Sequence, residues 1–146
     1  MAVRDIYDAI LALDEEGVVK AVKAELAAGT DVQVVLREGL IAAMDEIGKQ
    51  FGDGNLFVPE MLVAADAMKA GLELLRPILA KAGVKPVATV VIGTVKGDLH
   101  DIGKNLVSMM LEGAGFRIVD LGTDVDPEKF ISTAQENDAA LIAMSS

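Results

Sequence analysis

The sequence predicts a helical bundle followed by a parallel α/β sheet, the first half of a doubly wound domain. Two observations support this fold class. Apolar residues recur at helical spacing up to about residue 82, and short β-branched segments alternate with helical ones from residue 87 onward. The period changes within residues 82–86, where glycine and proline are typical of a linker. We therefore predict two domains, residues 1–84 and 87–146.

Four helices with short connections account for the first domain. Gly29 should end the second helix, as a glycine just past a helix commonly does. The third helix should stop near Phe51, before the turn-forming residues 52–55. Pro59 then suits the first turn of the fourth helix, where a missing N–H costs little.

The second domain should contain three strands and two helices. Its first segment is β-branched and apolar on both faces, which is typical of a buried parallel strand. The predicted order is strand 87–95, loop 96–102, helix 103–112, strand 116–121, helix 127–136 and strand 139–144. A sheet of only three strands would be thin, so we expect the chain to be a fragment or a domain cut short.

Composition and charge exclude several classes of protein. Hydrophobic residues make up 52% of the chain and aromatic residues 3%, which predicts an aliphatic core. The net charge of −10 argues against binding a nucleic-acid backbone or anchoring to an anionic membrane. The absence of cysteine excludes disulfides and thiolate metal sites. Since the N-terminus lacks a secretory pattern, we expect a cytoplasmic protein.

The loop after the first predicted strand carries the chemistry. Ligands of open α/β sheets bind at the carboxyl ends of the strands, and this loop contains the only histidine of the chain, His100. A phosphate-binding loop needs four residues before its Gly-Lys pair, but five residues separate Gly97 from Gly103. A hydrolase metal site normally needs several histidine and carboxylate ligands, so one histidine is too few.

Two interpretations of His100 remain open from the residues alone. It can be a surface residue that caps the following helix. It can also be the single protein ligand of a metal that arrives inside a macrocycle with four ligands of its own. In that second case Asp98 would fix the imidazole tautomer through a hydrogen bond. Gly97 and Gly103 would let a bulky cofactor approach the backbone.

The pattern Asp98-x-His100-x-x-Gly103 resembles the cobalamin-binding signature of B12-dependent methyltransferases and mutases. The run from Gly93 to Asn105 is most similar to the methyltransferase branch, which includes methionine synthase and the small corrinoid proteins of methanol, methylamine and aryl-ether methyl transfer. The resemblance covers nearly the whole chain. It implies a four-helix cap domain followed by a Rossmann-like (flavodoxin-like) cobalamin-binding domain that is incomplete at its C-terminus.

The resemblance also implies the residues that bind cobalamin or a related corrinoid. His100 would be the lower axial ligand of cobalt, with Asp98 bonded to it, and Phe51 and Val58 would lie over the upper face of the ring. Phe51 and Val58 can instead be ordinary core residues that flank a turn. The complete implied set is Phe51, Val58, Met61, Asp98, Leu99, His100, Asp101, Ile102, Gly103 and Ser145.

Ser145 resembles the serine that contacts the dimethylbenzimidazole tail of the cofactor. The rest of that motif would lie beyond Ser146, and much of the tail pocket with it. The resemblance therefore leaves open whether this shortened chain still binds the cofactor.

The implied function is that of a methyl carrier in one-carbon metabolism, with no catalytic residue of its own. Its implied partners are a substrate-side methyltransferase, a second methyltransferase that uses tetrahydrofolate or a thiol, and a reductive activator. A B12-binding sensor or regulator is the main alternative, although the chain shows neither a helix-turn-helix pattern nor basic charge. A radical mutase subunit is a further alternative, but such subunits lack this helical cap.

Overall fold

The computed structural model describes residues 2–83 and 85–146, and the chain divides into two compact units, Met1–Lys85 and Pro86–Ser146. The first unit is helical and the second contains a three-stranded parallel sheet, which confirms the predicted fold class. Within the described residues, we find no helix with the length and apolar character that crossing a membrane requires.

Aspartate side chains cap the N-termini of two helices in the first unit. Asp14 accepts a hydrogen bond from the backbone N–H of Gly17 (2.9 Å) at the start of α2, and Asp31 does the same for Gln33 (2.9 Å) at the start of α3. The helical elements of this unit are α1 (Val3–Leu11), α2 (Glu15–Ala27), α3 (Val32–Val34), a π-helical segment (Val35–Ile41), α4 (Ala42–Gly52) and α5 (Val58–Lys81).

The third predicted helix is therefore one continuous helical stretch, from α3 through the π segment to α4. It ends at Gly52, next to the predicted end at Phe51. The seven-residue π segment was not predicted. A π turn closes with i→i+5 hydrogen bonds, and hydrophobic spacing does not separate it from an α turn over so short a stretch.

The core of the helical unit is aliphatic, as the composition predicts. Gly71 on α5 lets the helices approach closely, because a Cβ there would lie 3.0 Å from both Leu40 and Val18. The largest fully buried side chains of this unit are Ile6, Ile10, Val18, Val22, Val35, Leu40, Ile47, Met68 and Leu75. Packing of apolar side chains thus holds this unit together.

The second unit follows the predicted strand–helix alternation. Its elements are β1 (Thr89–Thr94), α6 (Ile102–Gly113), β2 (Arg117–Asp120), α7 (Pro127–Glu136) and β3 (Leu141–Ser145). The strands are parallel in the order β2-β1-β3, with Val91 opposite Val119 on one side and Ile142 on the other. The carboxyl ends of all three strands therefore meet at one edge of the sheet, where Thr94 lies opposite Ser145.

Candidate cofactor-binding site

The loop between β1 and α6 is anchored to the end of β1. Thr94 is fully buried, and its hydroxyl donates a hydrogen bond to the backbone carbonyl of His100 (2.7 Å). The N–H of Thr94 donates in turn to the carbonyl of Gly122 (2.8 Å), in the loop that follows β2. The backbone of His100 is thereby fixed at the carboxyl edge of the sheet.

Asp98 holds the side chain of His100. Its Oδ1 lies 2.6 Å from Nδ1 of the imidazole and also accepts the backbone N–H of His100 (2.9 Å). The imidazole itself is 94% exposed, whereas the Asp98 side chain is 19% exposed. Because Nδ1 is engaged by Asp98, Nε2 is the ring nitrogen that faces open space. An open, carboxylate-held imidazole fits the requirement for a single axial ligand.

The pKa of Asp98 is held below the usual range of a carboxyl group. The main cause is the hydrogen bond from the backbone N–H of His100, followed by the hydrogen bond from its ring. The side chain is therefore ionised at neutral pH. An ionised carboxylate accepts hydrogen bonds only, so it favours the tautomer with the proton on Nδ1.

A second loop, between β2 and α7, runs alongside the His100 loop. The carboxylate of Asp124 accepts the N–H of Gly97 (2.8 Å), and the N–H of Asp124 donates to the carbonyl of Asp98 (3.0 Å). Lys96 pairs with Asp126 (2.9 Å), and this hydrogen bond is the main cause of a raised pKa at Lys96. The sequence interpretation missed this loop, although residues 122–126 follow a strand at the same edge and contain turn-forming residues.

An ion pair between a buried lysine and a partly exposed aspartate joins α6 to the end of β2. The Lys104 side chain is 2% exposed, and its ammonium group donates to both carboxylate oxygens of Asp120 (2.8 and 2.7 Å) and to Asn105 (2.7 Å). Asp120 also accepts the N–H of Gly122 (2.8 Å). Lys104 belongs to the run Gly93–Asn105 that carries the resemblance, but its pairing with Asp120 was not predicted.

The remaining candidates of the second unit surround the same loop. Leu99 is 76% exposed, and Asp101 precedes the first turn of α6, which contains Ile102 and Gly103. Ser145 ends β3, and its carbonyl accepts the N–H of Val95 (3.0 Å). The structure thus brings Ser145 to the sheet edge from which the His100 loop begins.

The remaining three candidates belong to the helical unit. Phe51 near the end of α4 is 38% exposed and Val58 at the start of α5 is 41% exposed. Met61, one turn further along α5, is only 2% exposed. Their contact with a cofactor stays a prediction.

Two further observations concern what the site can hold. Among residues 2–83 and 85–146, no three His, Cys, Asp or Glu side chains lie close enough together to hold a metal ion. Ser108 on α6 is buried, and its hydroxyl has no hydrogen-bond partner within the described parts of the chain. A buried hydroxyl of this kind can be satisfied by a polar ligand.

Comparison with known families identifies both units. Residues 2–76 match one family described as a B12 binding domain, and residues 88–146 match a second family of the same description. The chain belongs to this B12-binding family. The match confirms the resemblance that Asp98-x-His100-x-x-Gly103 indicated.

Relatives within this family are named corrinoid proteins. The chain is 44% identical over 140 residues to trimethylamine corrinoid protein 1 of Methanosarcina acetivorans, covering 94% of this chain and 65% of that protein. It is 38% identical over 146 residues to dimethylamine corrinoid protein 1 of the same organism, covering 97% and 67%. The chain therefore spans about two thirds of the length of these relatives.

Solved structures give the same result. The methanol:cobalamin methyltransferase complex MtaBC from Methanosarcina barkeri matches with a TM-score of 0.89 and 32% identity, over 97% of this chain and 55% of that one. A cobalamin-binding protein from Desulfitobacterium hafniense matches with a TM-score of 0.77 and 27% identity, over 100% and 69%.

Proposed function

We propose that the chain binds a corrinoid and carries methyl groups between two methyltransferases, with His100 as the lower axial ligand of cobalt. The observation that carries this proposal is the exposed imidazole of His100, held by Asp98 at the carboxyl edge of the sheet in a B12-binding protein. When bound, the corrinoid supplies the cobalt that accepts and gives up the methyl group. The protein supplies the axial ligand, the shielding of the ring and the surfaces for its partners.

In this proposal Asp98 prepares His100 for its task. By accepting the proton on Nδ1, it leaves the lone pair of Nε2 directed outward. A carboxylate on the far nitrogen also raises the basicity of an imidazole ligand. Asp98 therefore sets the direction in which the ligand nitrogen of His100 points.

The flanking residues have proposed roles in holding the cofactor. Leu99, Asp101, Ile102 and Gly103 would line the lower face around His100, and Ser145 would contact the cofactor tail. Their positions in the β1–α6 loop, in the first turn of α6 and at the same sheet edge support this assignment.

Phe51 and Val58 are proposed to shield the upper face of the ring. Their partial exposure in the helical unit supports this role, because fully buried side chains would be unavailable to a ligand. Met61 is buried, so its proposed role is indirect, through packing of the first turns of α5, where Val58 lies. Phe51→Ala should therefore speed photolysis of a bound alkyl corrinoid. An unchanged photolysis rate would count against the shielding role.

The proposed partners are a substrate-side methyltransferase, a tetrahydrofolate- or thiol-dependent methyltransferase and a reductive activator, all in the cytoplasm. The relatives support the first partner, because two are named for trimethylamine and dimethylamine and one belongs to a methanol:cobalamin methyltransferase complex. The test is transfer of an isotopically labelled methyl group to a thiol in the presence of both methyltransferases. Transfer at the same rate without this chain would contradict the carrier role.

The ligand role of His100 can be tested by absorbance. Addition of the chain to cobalamin should shift the visible spectrum to that of a cofactor whose own base is replaced by imidazole. His100→Ala should lose this shift, and added free imidazole should restore part of it. The same spectrum for the variant and the unaltered chain, without imidazole, would refute the assignment.

A further inference from the structure

We infer that Asp124 is a positioning residue. It sets the orientation of His100, the proposed axial ligand, by holding the backbone of Gly97 and Asp98 in place. The inference rests on the proposed role of His100. Asp124 does not contact the imidazole and belongs to a different loop, so its influence passes through Asp98. Nothing in the signature Asp98-x-His100-x-x-Gly103 points to it.

The imidazole of His100 depends on Asp98 for its orientation. With 94% of the side chain exposed, little packing restrains the ring, and the described contact that fixes it is the 2.6 Å bond from Nδ1 to Asp98. Hydrogen bonds weaken steeply with misalignment. A small rotation of the Asp98 backbone would therefore change both the tautomer and the direction of the ring.

Asp124 holds that backbone from both sides. Its carboxylate accepts the N–H of Gly97, the residue before Asp98, and its own N–H donates to the carbonyl of Asp98 itself. The neighbouring residue Val125 continues the contact, since its N–H donates to the carbonyl of Thr94 (3.0 Å). Asp124 thus holds the two peptide groups on either side of the Gly97–Asp98 peptide.

The backbone of Asp124 makes the double contact possible. Its φ of +53° lies in the left-handed region, which aspartate, asparagine and glycine adopt more readily than other residues. An aspartate or asparagine there can accept through its side chain while keeping this conformation. Glycine keeps the conformation but loses the acceptor, and alanine loses the acceptor and is strained. Comparison of asparagine, glycine and alanine at position 124 therefore separates the contribution of the side-chain acceptor from that of the left-handed backbone.

The single histidine makes a direct measurement possible in the corrinoid-free chain. Nitrogen-15 labelling of histidine gives the imidazole resonances of His100 alone, and these report which ring nitrogen carries the proton. Asp124→Gly should lower the ratio of the Nδ1–H to the Nε2–H tautomer roughly 5-fold or more, as expected when one hydrogen bond is weakened. Asp124→Ala should do at least the same, and Asp124→Asn should keep the ratio close to that of the unaltered chain.

Asp138→Gly provides the matched control. Asp138 also has a left-handed backbone (φ +50°), and it follows α7 in the same unit. The tautomer ratio should be unchanged in this variant. Circular dichroism should show equal helix and strand content in all the variants, so that a change in the ratio reports on the loop rather than on unfolding.

An unchanged ratio in a folded Asp124→Gly variant would overturn the inference, as would an equal change in Asp138→Gly. If Asp124→Gly does not fold, hydrogen exchange in the unaltered chain decides. The Gly97 and Asp124 amides should then be protected, and rapid exchange at both would overturn the inference.

Absorbance of the corrinoid-bound chain separates this inference from the proposed function. A spectrum that never shows imidazole ligation, with a normal response of the tautomer ratio to Asp124→Gly, would refute only the proposed function. Ligation by His100 with no tautomer response would refute only the role of Asp124.

Discussion

The helical unit and the carboxyl edge of the sheet differ in the interactions that stabilise each of them internally. In the helical unit, side chains such as Ile10, Leu40 and Leu75 are fully buried and apolar. At the sheet edge, the loops are joined by hydrogen bonds and ion pairs, several of them exposed, such as those of Asp98 and Lys96. The free energy of unfolding of the helical unit should therefore depend on how completely its core is filled. The geometry of the loops at the sheet edge should depend on individual hydrogen bonds and ion pairs.

The largest effect should come from a cavity in the helical core. Leu75→Ala should lower the free energy of unfolding by about 2–5 kcal/mol, because the side chain is fully buried and its neighbours can collapse only partly. Urea denaturation followed by circular dichroism measures this loss. The His100 tautomer ratio in the folded variant should stay unchanged. A changed ratio would contradict the idea that the geometry at the sheet edge is independent of packing in the helical core.

A smaller loss should follow from breaking the ion pair of the buried Lys104 with Asp120. Asp120→Asn leaves the Lys104 ammonium buried without its carboxylate, which should cost about 1–3 kcal/mol. The double variant Lys104→Met with Asp120→Asn should recover part of this loss, since apolar residues often replace a buried pair at little cost. Denaturation of both variants tests this pair of results. A double variant less stable than Asp120→Asn would contradict it.

The Asp98 contact should stabilise the fold at neutral pH and lose this effect in acid. Its folded-state pKa is lowered, so its contribution is present above the unfolded pKa of about 4 and is lost as pH falls through the folded value. Asp98→Asn should therefore reduce the melting temperature at pH 7, and the difference from the unaltered chain should shrink toward pH 2. A difference that stays constant over this range would show that the charge of Asp98 is not involved.

The exposed pair of Lys96 and Asp126 should give the smallest stabilisation, which is lost in alkali. The pKa of Lys96 is raised by Asp126, so its contribution is complete below the unfolded pKa of about 10.4 and is lost as pH rises through the folded value. Lys96→Met should melt slightly below the unaltered chain at pH 8 and show no difference well above pH 11. Added salt at pH 8 should also reduce the difference.

The sequence was sufficient for those features that depend on local patterns. Hydrophobic period located the helices and strands, and the predicted helix at residues 127–136 coincides with α7. The prediction of a parallel sheet placed the His100 loop at the carboxyl edge, and the structure adds Ser145 there, which the sequence indicated only through the resemblance. Asp98 was proposed as the carboxylate that would hold the imidazole of His100, and this hydrogen bond is present.

The features that were missed depend on contacts between distant parts of the chain. Asp124 is 27 residues from Gly97, and Asp120 is 16 residues from Lys104. Strand order and register decide which loops become neighbours, and hydrophobic period does not specify either. The π segment at Val35–Ile41 was missed for a different reason, because its apolar residues also fit an α-helix.

The left-handed backbone at Asp124 has a consequence for sequence variation. Of the residues that tolerate this conformation, only aspartate and asparagine also carry an acceptor at the required distance. A saturation library at this position, selected for corrinoid retention, should therefore be enriched in these two residue types. Asp138, with the same backbone region and no contact to the loop, should accept glycine equally well. Position 124 would then tolerate few residue types, although it does not contact the cofactor ligand.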